Sequence, residues 1–142
     1  RGIAEVPLAK VGMAGCYGVL FPQLFRAQAR AGANVITGPA AFTRQTGEAH
    51  WHVLRRARAI ENGAFLISAA QGGVHEDGRE TYGHSLIVSP WGKVLAEAAH
   101  DEPGVIVADI DVSESTAARA KVPNLKNARE FSVKVAQEKQ DA

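Results

Sequence analysis

The chain has 142 residues, of which 46% are hydrophobic, 22% charged and 6% aromatic, a globular composition that excludes collagen-like, disordered and disulfide-framework classes. Sixteen Lys plus Arg against fifteen Asp plus Glu leave a formal charge of +1, so no field draws in nucleic acid or an anionic membrane. Apolar runs such as Ala64-Phe65-Leu66-Ile67 are too short to cross a bilayer, and a chain of this size folds to roughly 7,000 Å² of surface, which suits one core.

The N-terminus, Arg1-Gly2-Ile3-Ala4-Glu5, lacks a secretory pattern and the one Met is Met13. The sequence therefore reads as a processed product, an engineered piece or the C-terminal part of something longer. Residues 11–15 predict a short buried strand, followed by a helix over 22–31 with Leu24, Phe25 and Ala29 on one face and Gly32 as its stop. Residues 34–37 form a second strand, broken by Gly38-Pro39, before a polar loop over 43–47. A helix over 48–62 carries Val53, Leu54, Ala57 and Ile60 as its apolar stripe and ends at Gly63.

Residues 64–69 predict a strand apolar enough to be covered on both faces, and 71–80 a polar loop. The strands 84–88 and 94–98 flank Ser89-Pro90-Trp91-Gly92, a hairpin turn, and 104–110 form a last strand. Helix-linked strands followed by hairpins indicate one α/β domain with a mixed sheet over residues 1–131. The Lys-, Gln- and Glu-rich residues 132–142 read as a solvated arm.

Cys16, the single cysteine, cannot form an intrachain disulfide and fits a reducing compartment, the cytoplasm. It falls between a strand and a helix, the place of a nucleophile elbow. There a helix N-terminus favours the thiolate and the Tyr17 backbone N–H is free to donate to an oxyanion. The alternative is a buried structural thiol. His50 and His52 fall on different faces of one helix, and with His75, His84 and His100 they find no second Cys or tight carboxylate cluster. Neither a metal nor a cofactor is expected, while a pairing of Cys16 with a distant His stays open. Arg55, Arg58 and Glu61, three residues apart, read as a solvated or ion-paired face rather than an anion site. Trp51 and Trp91 read as core or interface anchors, or as a stacking platform.

These segments resemble, in order, the C-terminal half of the nitrilase superfamily, the carbon–nitrogen hydrolases with a cysteine nucleophile. The likeness rests on residues 7–17 with Phe21-Pro22-Gln23-Leu24, on Pro39-Ala40-Ala41-Phe42-Thr43, and on His50-Trp51. It continues through the run 56–62, Ala69-Ala70-Gln71, and Tyr82-Gly83-His84-Ser85 leading into Pro90-Trp91-Gly92. Within that superfamily the chain most resembles the amidase branch that includes deaminated-glutathione amidase and omega-amidase.

The resemblance implies the C-terminal half of an α-β-β-α sandwich, with a mixed sheet and hairpins toward the C-terminus. It implies that Cys16 attacks a small carboxamide to form a thioester acyl-enzyme, with Phe42, Thr43, His50 and Trp51 against the substrate. The family's general-base Glu and oxyanion Lys belong to a half that this sequence lacks, and Glu5 and Lys10 match no catalytic motif. Gly18, Leu20 and Gln23 stand where the family commonly has charged residues, and Gly38 and Gly72 replace bulkier ones, which implies an enlarged or loosened site. A half-sandwich also exposes an apolar sheet face, so a homo-oligomer is expected. The competing reading is an inactive fragment or degenerate half-domain serving as a structural or interaction unit.

Overall fold

A computed structural model describes residues 2–99 and 101–136. The sequence-predicted roles of His100 and of the last six residues lie outside them. Three parallel strands form the centre: β2 (Ala9–Met13), β3 (Val35–Thr37) and β4 (Phe65–Ser68). Parallel neighbours need a crossover, and here the crossovers are α1 (Pro22–Arg30) and α2 (Arg44–Asn62). Antiparallel strands extend the sheet on both sides. β1 (Ile3–Val6) pairs with β2, while β7 (Leu86–Val88) and β8 (Val94–Glu97) follow β4, giving the order β1-β2-β3-β4-β7-β8.

The register fixes what meets the helices. Gly12 lies opposite Ile36, Ile36 opposite Leu66 and Leu66 opposite Val88. Ile36, Leu66 and Val88 join Phe25 of α1 and Trp51 of α2 in one buried cluster. At Gly12 the missing side chain is replaced by Gln28 of α1: a Cβ there would stand 2.2 Å from its Oε1. The Gln28 amide instead donates to the Met13 carbonyl at 2.7 Å, pinning α1 to β2.

Several expectations are corrected. α2 starts at Arg44 rather than at 48, because Thr43 caps it, its side chain accepting from the Thr46 N–H. The stripe of Val53 and Ile60 is not the buried face: these are 68% and 53% exposed. Trp51, Arg55, Arg58, Ala59 and Asn62 face inward instead. The supposed polar loop folds as a hairpin of β5 (Gly72–Val74) and β6 (Glu80–Tyr82). Two further helices, α3 (Ser113–Lys121) and α4 (Asn124–Asn127), follow. Arg119 ties α3 to the base of the sheet, donating to the Asn62 and Ala33 carbonyls at 3.1 and 2.6 Å.

Residues 104–110 are extended but form no strand, and among the described residues they make no backbone–backbone hydrogen bond. Ile106 shares an apolar cleft of about 230 Å³ with Ile67 and Ile87. These two are cross-strand partners on the sheet face turned away from α1 and α2. The segment therefore crosses a face, where no strand lies beside it to form a ladder. Val105 and Val107 point outward, 90% and 80% exposed. No described helix is long and apolar enough to cross a membrane.

Gly47 gives a test of how α2 seats on β6. A Cβ at this helical position would fall 2.2 Å from the Cβ of Tyr82. Gly47→Ala is expected to destabilise the fold by ~1–3 kcal/mol through overpacking, despite the ~1 kcal/mol that Ala gains in helix propensity. Urea unfolding midpoints measure it, and a stabilised variant would show that α2 is free to shift.

Candidate active site

Where β2 ends, Ala14 still donates to Thr37 at 2.9 Å, so the chain leaves the sheet at its parallel centre. It then tightens at once. Gly18 N–H donates to Gly15 at 3.0 Å and Val19 N–H to Cys16 at 3.4 Å, forming a 3₁₀ turn over Tyr17–Leu20. Cys16 immediately precedes that turn with φ −45° and ψ −66°, an ordinary right-handed conformation without the strain of a nucleophile elbow. α1 begins only at Pro22, whose fixed φ suits a first helical position. The macrodipole of α1, which fades within one turn, thus does not act at Cys16.

What the sulfur does have is a backbone donor. The Ala41 N–H donates to Cys16 Sγ at 3.5 Å, delivered by the loop that follows β3. Around the sulfur lies a cleft of about 230 Å³, whose walls are Tyr17 and Leu20 on one side and Ala41, Phe42, Thr43, Thr46 and His50 on the other. The Tyr17 N–H opens the 3₁₀ turn, where a helix has no internal acceptor for its first amides.

The structure thus brings Cys16, Tyr17, Phe42, Thr43 and His50 together on one cleft. Ala41 and Thr46 were not anticipated. Thr46 was legible, because Thr43, Thr46 and His50 follow the i, i+3, i+7 spacing of one helix face. Ala41 was not, because a backbone N–H carries no side-chain signature.

Trp51 departs from expectation. It is 1% exposed, donates from Nε1 to the His84 carbonyl at 2.8 Å, and packs edge-on against Phe42 with centroids 5.1 Å apart. It supports the cleft wall from behind and does not line it. Its partner His84 has a φ of +58°.

The arginines are buried rather than solvated, and of the expected solvated or ion-paired face only the ion pair is present. Arg58 Nε donates to the Val19 carbonyl at 2.8 Å and its Nη1 pairs with Glu61 at 2.9 Å, so this buried guanidinium braces the 3₁₀ turn from below. Arg55 is 1% exposed and stacks over the Trp51 ring at 4.4 Å. Burial pushes the Arg55 guanidinium down to about 10, a shift that ionised Cys16 opposes and neighbouring Arg58 reinforces.

Gly38 does not enlarge the site. A Cβ there would meet Arg55 Nη1 at 2.8 Å and the Ala14 carbonyl at 2.9 Å, so the arginine already fills that space. Gly72 abuts Asp101 and Gly83 and lies outside the cleft. Glu5 and Lys10 pair with each other at 2.9 Å across the β1–β2 hairpin, and neither lines the cleft.

Comparison with known proteins agrees with this geometry. Residues 1–120 match the profile of the carbon-nitrogen hydrolase family. The chain belongs to that family. Deaminated glutathione amidase of Synechocystis sp. (strain PCC 6803 / GT-S) is 44% identical over 117 residues, 82% of this chain and 43% of that protein. Saccharomyces cerevisiae Nit3, a nitrilase-superfamily member, superposes with a TM-score of 0.80 at 34% identity, covering 86% of this chain and 45% of its own. A mutant of the amidase from Nesterenkonia sp. AN1 superposes with a TM-score of 0.69 at 31% identity, covering 86% of this chain and 46% of that one. In that amidase the acetamide moiety of fluoroacetamide is added covalently at the active-site cysteine. The chain spans less than half the length of each of these relatives. Its helix-covered mixed sheet is the α/β architecture of the nitrilase fold.

The role of Trp51 is open to test. Trp51→Phe removes the donor to the His84 carbonyl and is expected to cost ~1–3 kcal/mol of stability by leaving that acceptor unpaired. Native-state alkylation of Cys16 should proceed as in the parent chain. A folded variant whose Cys16 no longer reacts would return Trp51 to the cleft.

Proposed function

We propose that this chain carries the nucleophile of a cysteine-dependent amidase acting on a small carboxamide. The observation that carries the reading is the Cys16 sulfur itself, in contact with an open cleft and with the Ala41 N–H directed at it, within a carbon–nitrogen hydrolase family. Cys16 Sγ attacks the amide carbonyl, and the tetrahedral intermediate collapses with loss of ammonia to leave a thioester. Water then adds to the thioester, releasing the carboxylic acid and the thiol. The Tyr17 N–H is the oxyanion donor supplied here, and Phe42 and Thr43 hold the acyl group while His50 stands at the mouth. A cytoplasmic setting suits a nucleophile that works only while reduced.

Among the described residues the cleft has neither a Glu nor a Lys on its walls, so the base and the second oxyanion donor must come from a polypeptide segment other than those around Cys16. Residues 1–131 are then a partial catalytic domain. A structural role accompanies this reading and is favoured by one observation, the unladdered segment 104–110 with Val105 and Val107 turned to solvent. Such an apolar segment with unpaired backbone groups drives association. Light scattering at micromolar concentration is expected to find a dimer or a larger assembly, and a clean monomer would count against that role.

Alone, the chain should show no amide turnover. General acid–base help is worth ~10²–10⁴-fold and one oxyanion donor ~10²–10³-fold, so losing both hides the reaction. Mixed with a matching N-terminal half that carries the Glu and the Lys, it should release ammonia slowly, and Cys16→Ala should abolish the release. Cys16-dependent ammonia production by the isolated chain would overturn the half-site reading.

A further inference from the structure

We propose that Arg55 is a positioning residue for the nucleophile, a buried counter-charge behind the Cys16 turn that favours negatively charged species at the sulfur. The inference deepens the assignment of Cys16 and rests on it. Arg55 is almost wholly buried, yet its Nε and Nη2 hydrogens have no acceptor among the described residues. A buried guanidinium without an anion is a costly arrangement that a fold normally avoids. One turn along α2, Arg58 shows the usual solution, with the Val19 carbonyl and the Glu61 carboxylate as partners. The two cations share a helix face and differ in having an anion.

The surroundings hold Arg55 in place. Its guanidinium lies over the Trp51 ring and against Gly38, where no Cβ could coexist with it. Ala14, whose carbonyl borders the same space, is two residues from Cys16. The charged and titratable groups near the turn are few: Tyr17 and His50 on the cleft wall, Arg58 with its Glu61 below, and Cys16. Of these, only the ionised sulfur acts favourably on Arg55.

The test compares alkylation of Cys16 in the folded chain by iodoacetate and by iodoacetamide, reagents that differ chiefly in charge. Arg55→Met is expected to lower the iodoacetate-to-iodoacetamide rate ratio by about 3- to 10-fold, the scale of one nearby charge in a protein environment. Arg55→Lys should retain most of the ratio. Arg55→Gln, which keeps part of the side chain's length and its hydrogen-bonding character without the charge, should lower the ratio similarly. The effect should persist at high ionic strength, because salt screens a buried charge weakly.

If Arg55→Met fails to fold by circular dichroism, the comparison of Arg55→Gln with Arg55→Lys decides. A ratio unchanged in folded Arg55→Met, or equal in Arg55→Gln and Arg55→Lys, overturns the inference while leaving Cys16 as the nucleophile. A parent Cys16 unreactive toward both reagents overturns both.

Discussion

The parallel ladder of β2, β3 and β4 is the constraint from which the rest of this molecule follows. Parallel strands cannot be joined by tight turns, so two helices must cross over, and both land on one face. That face is sealed by Phe25, Trp51 and the row of Ile36, Leu66 and Val88. A parallel sheet is stable only when both faces are covered. On the second face this chain offers little more than residues 104–110, which lie over Ile67 and Ile87 without hydrogen-bonding to any strand. The outward-facing Val105 and Val107 are the same fact seen from outside.

The same ladder positions the chemistry. Cys16 sits just beyond the end of β2 and Ala41 a few residues beyond the end of β3, so the pairing of two adjacent parallel strands brings thiol and N–H together. This is the usual place for function in an open α/β sheet, at the carboxyl ends of its strands. α2 adds the third side, because its cap at Thr43 starts the helix early enough to turn Thr46 and His50 toward the cleft. Backbone geometry, more than side-chain chemistry, aligns these groups.

Beneath the turn, two arginines occupy a place where an apolar helix face would have sufficed. Arg58 holds the 3₁₀ turn by its carbonyl, and Arg55 fills the volume left by Gly38 and stacks on Trp51. Long guanidinium side chains can do both because their stems pack as hydrocarbon while their heads donate in a fixed plane. The cost is a buried guanidinium whose Nε and Nη2 find no acceptor among the described residues, held in the volume at Gly38 beside the Ala14 carbonyl.

From sequence alone came the elements whose signals are local. Pro22 and Gly32 bounded α1, the Ser89–Gly92 turn announced its hairpin, and the order of strands and helices specified a mixed α/β sheet. Cys16 was identifiable because it is the single thiol and sits between a strand and a helix. The start of α2 was missed because Gly47 reads as a loop residue until Tyr82 is seen packed into its missing Cβ. The inward face of α2 was misjudged because hydrophobicity favours Val53 and Ile60, whereas packing selects Trp51, Arg55 and Arg58, of which Trp51 and Arg58 donate to carbonyls distant in sequence. Residues 104–110 have the composition of a strand, but a strand becomes one only when another backbone lies alongside. Sequence settles which residues prefer to be extended or helical; the tertiary structure alone decides which face is buried and which edge is paired, because those depend on neighbours the local chain cannot specify.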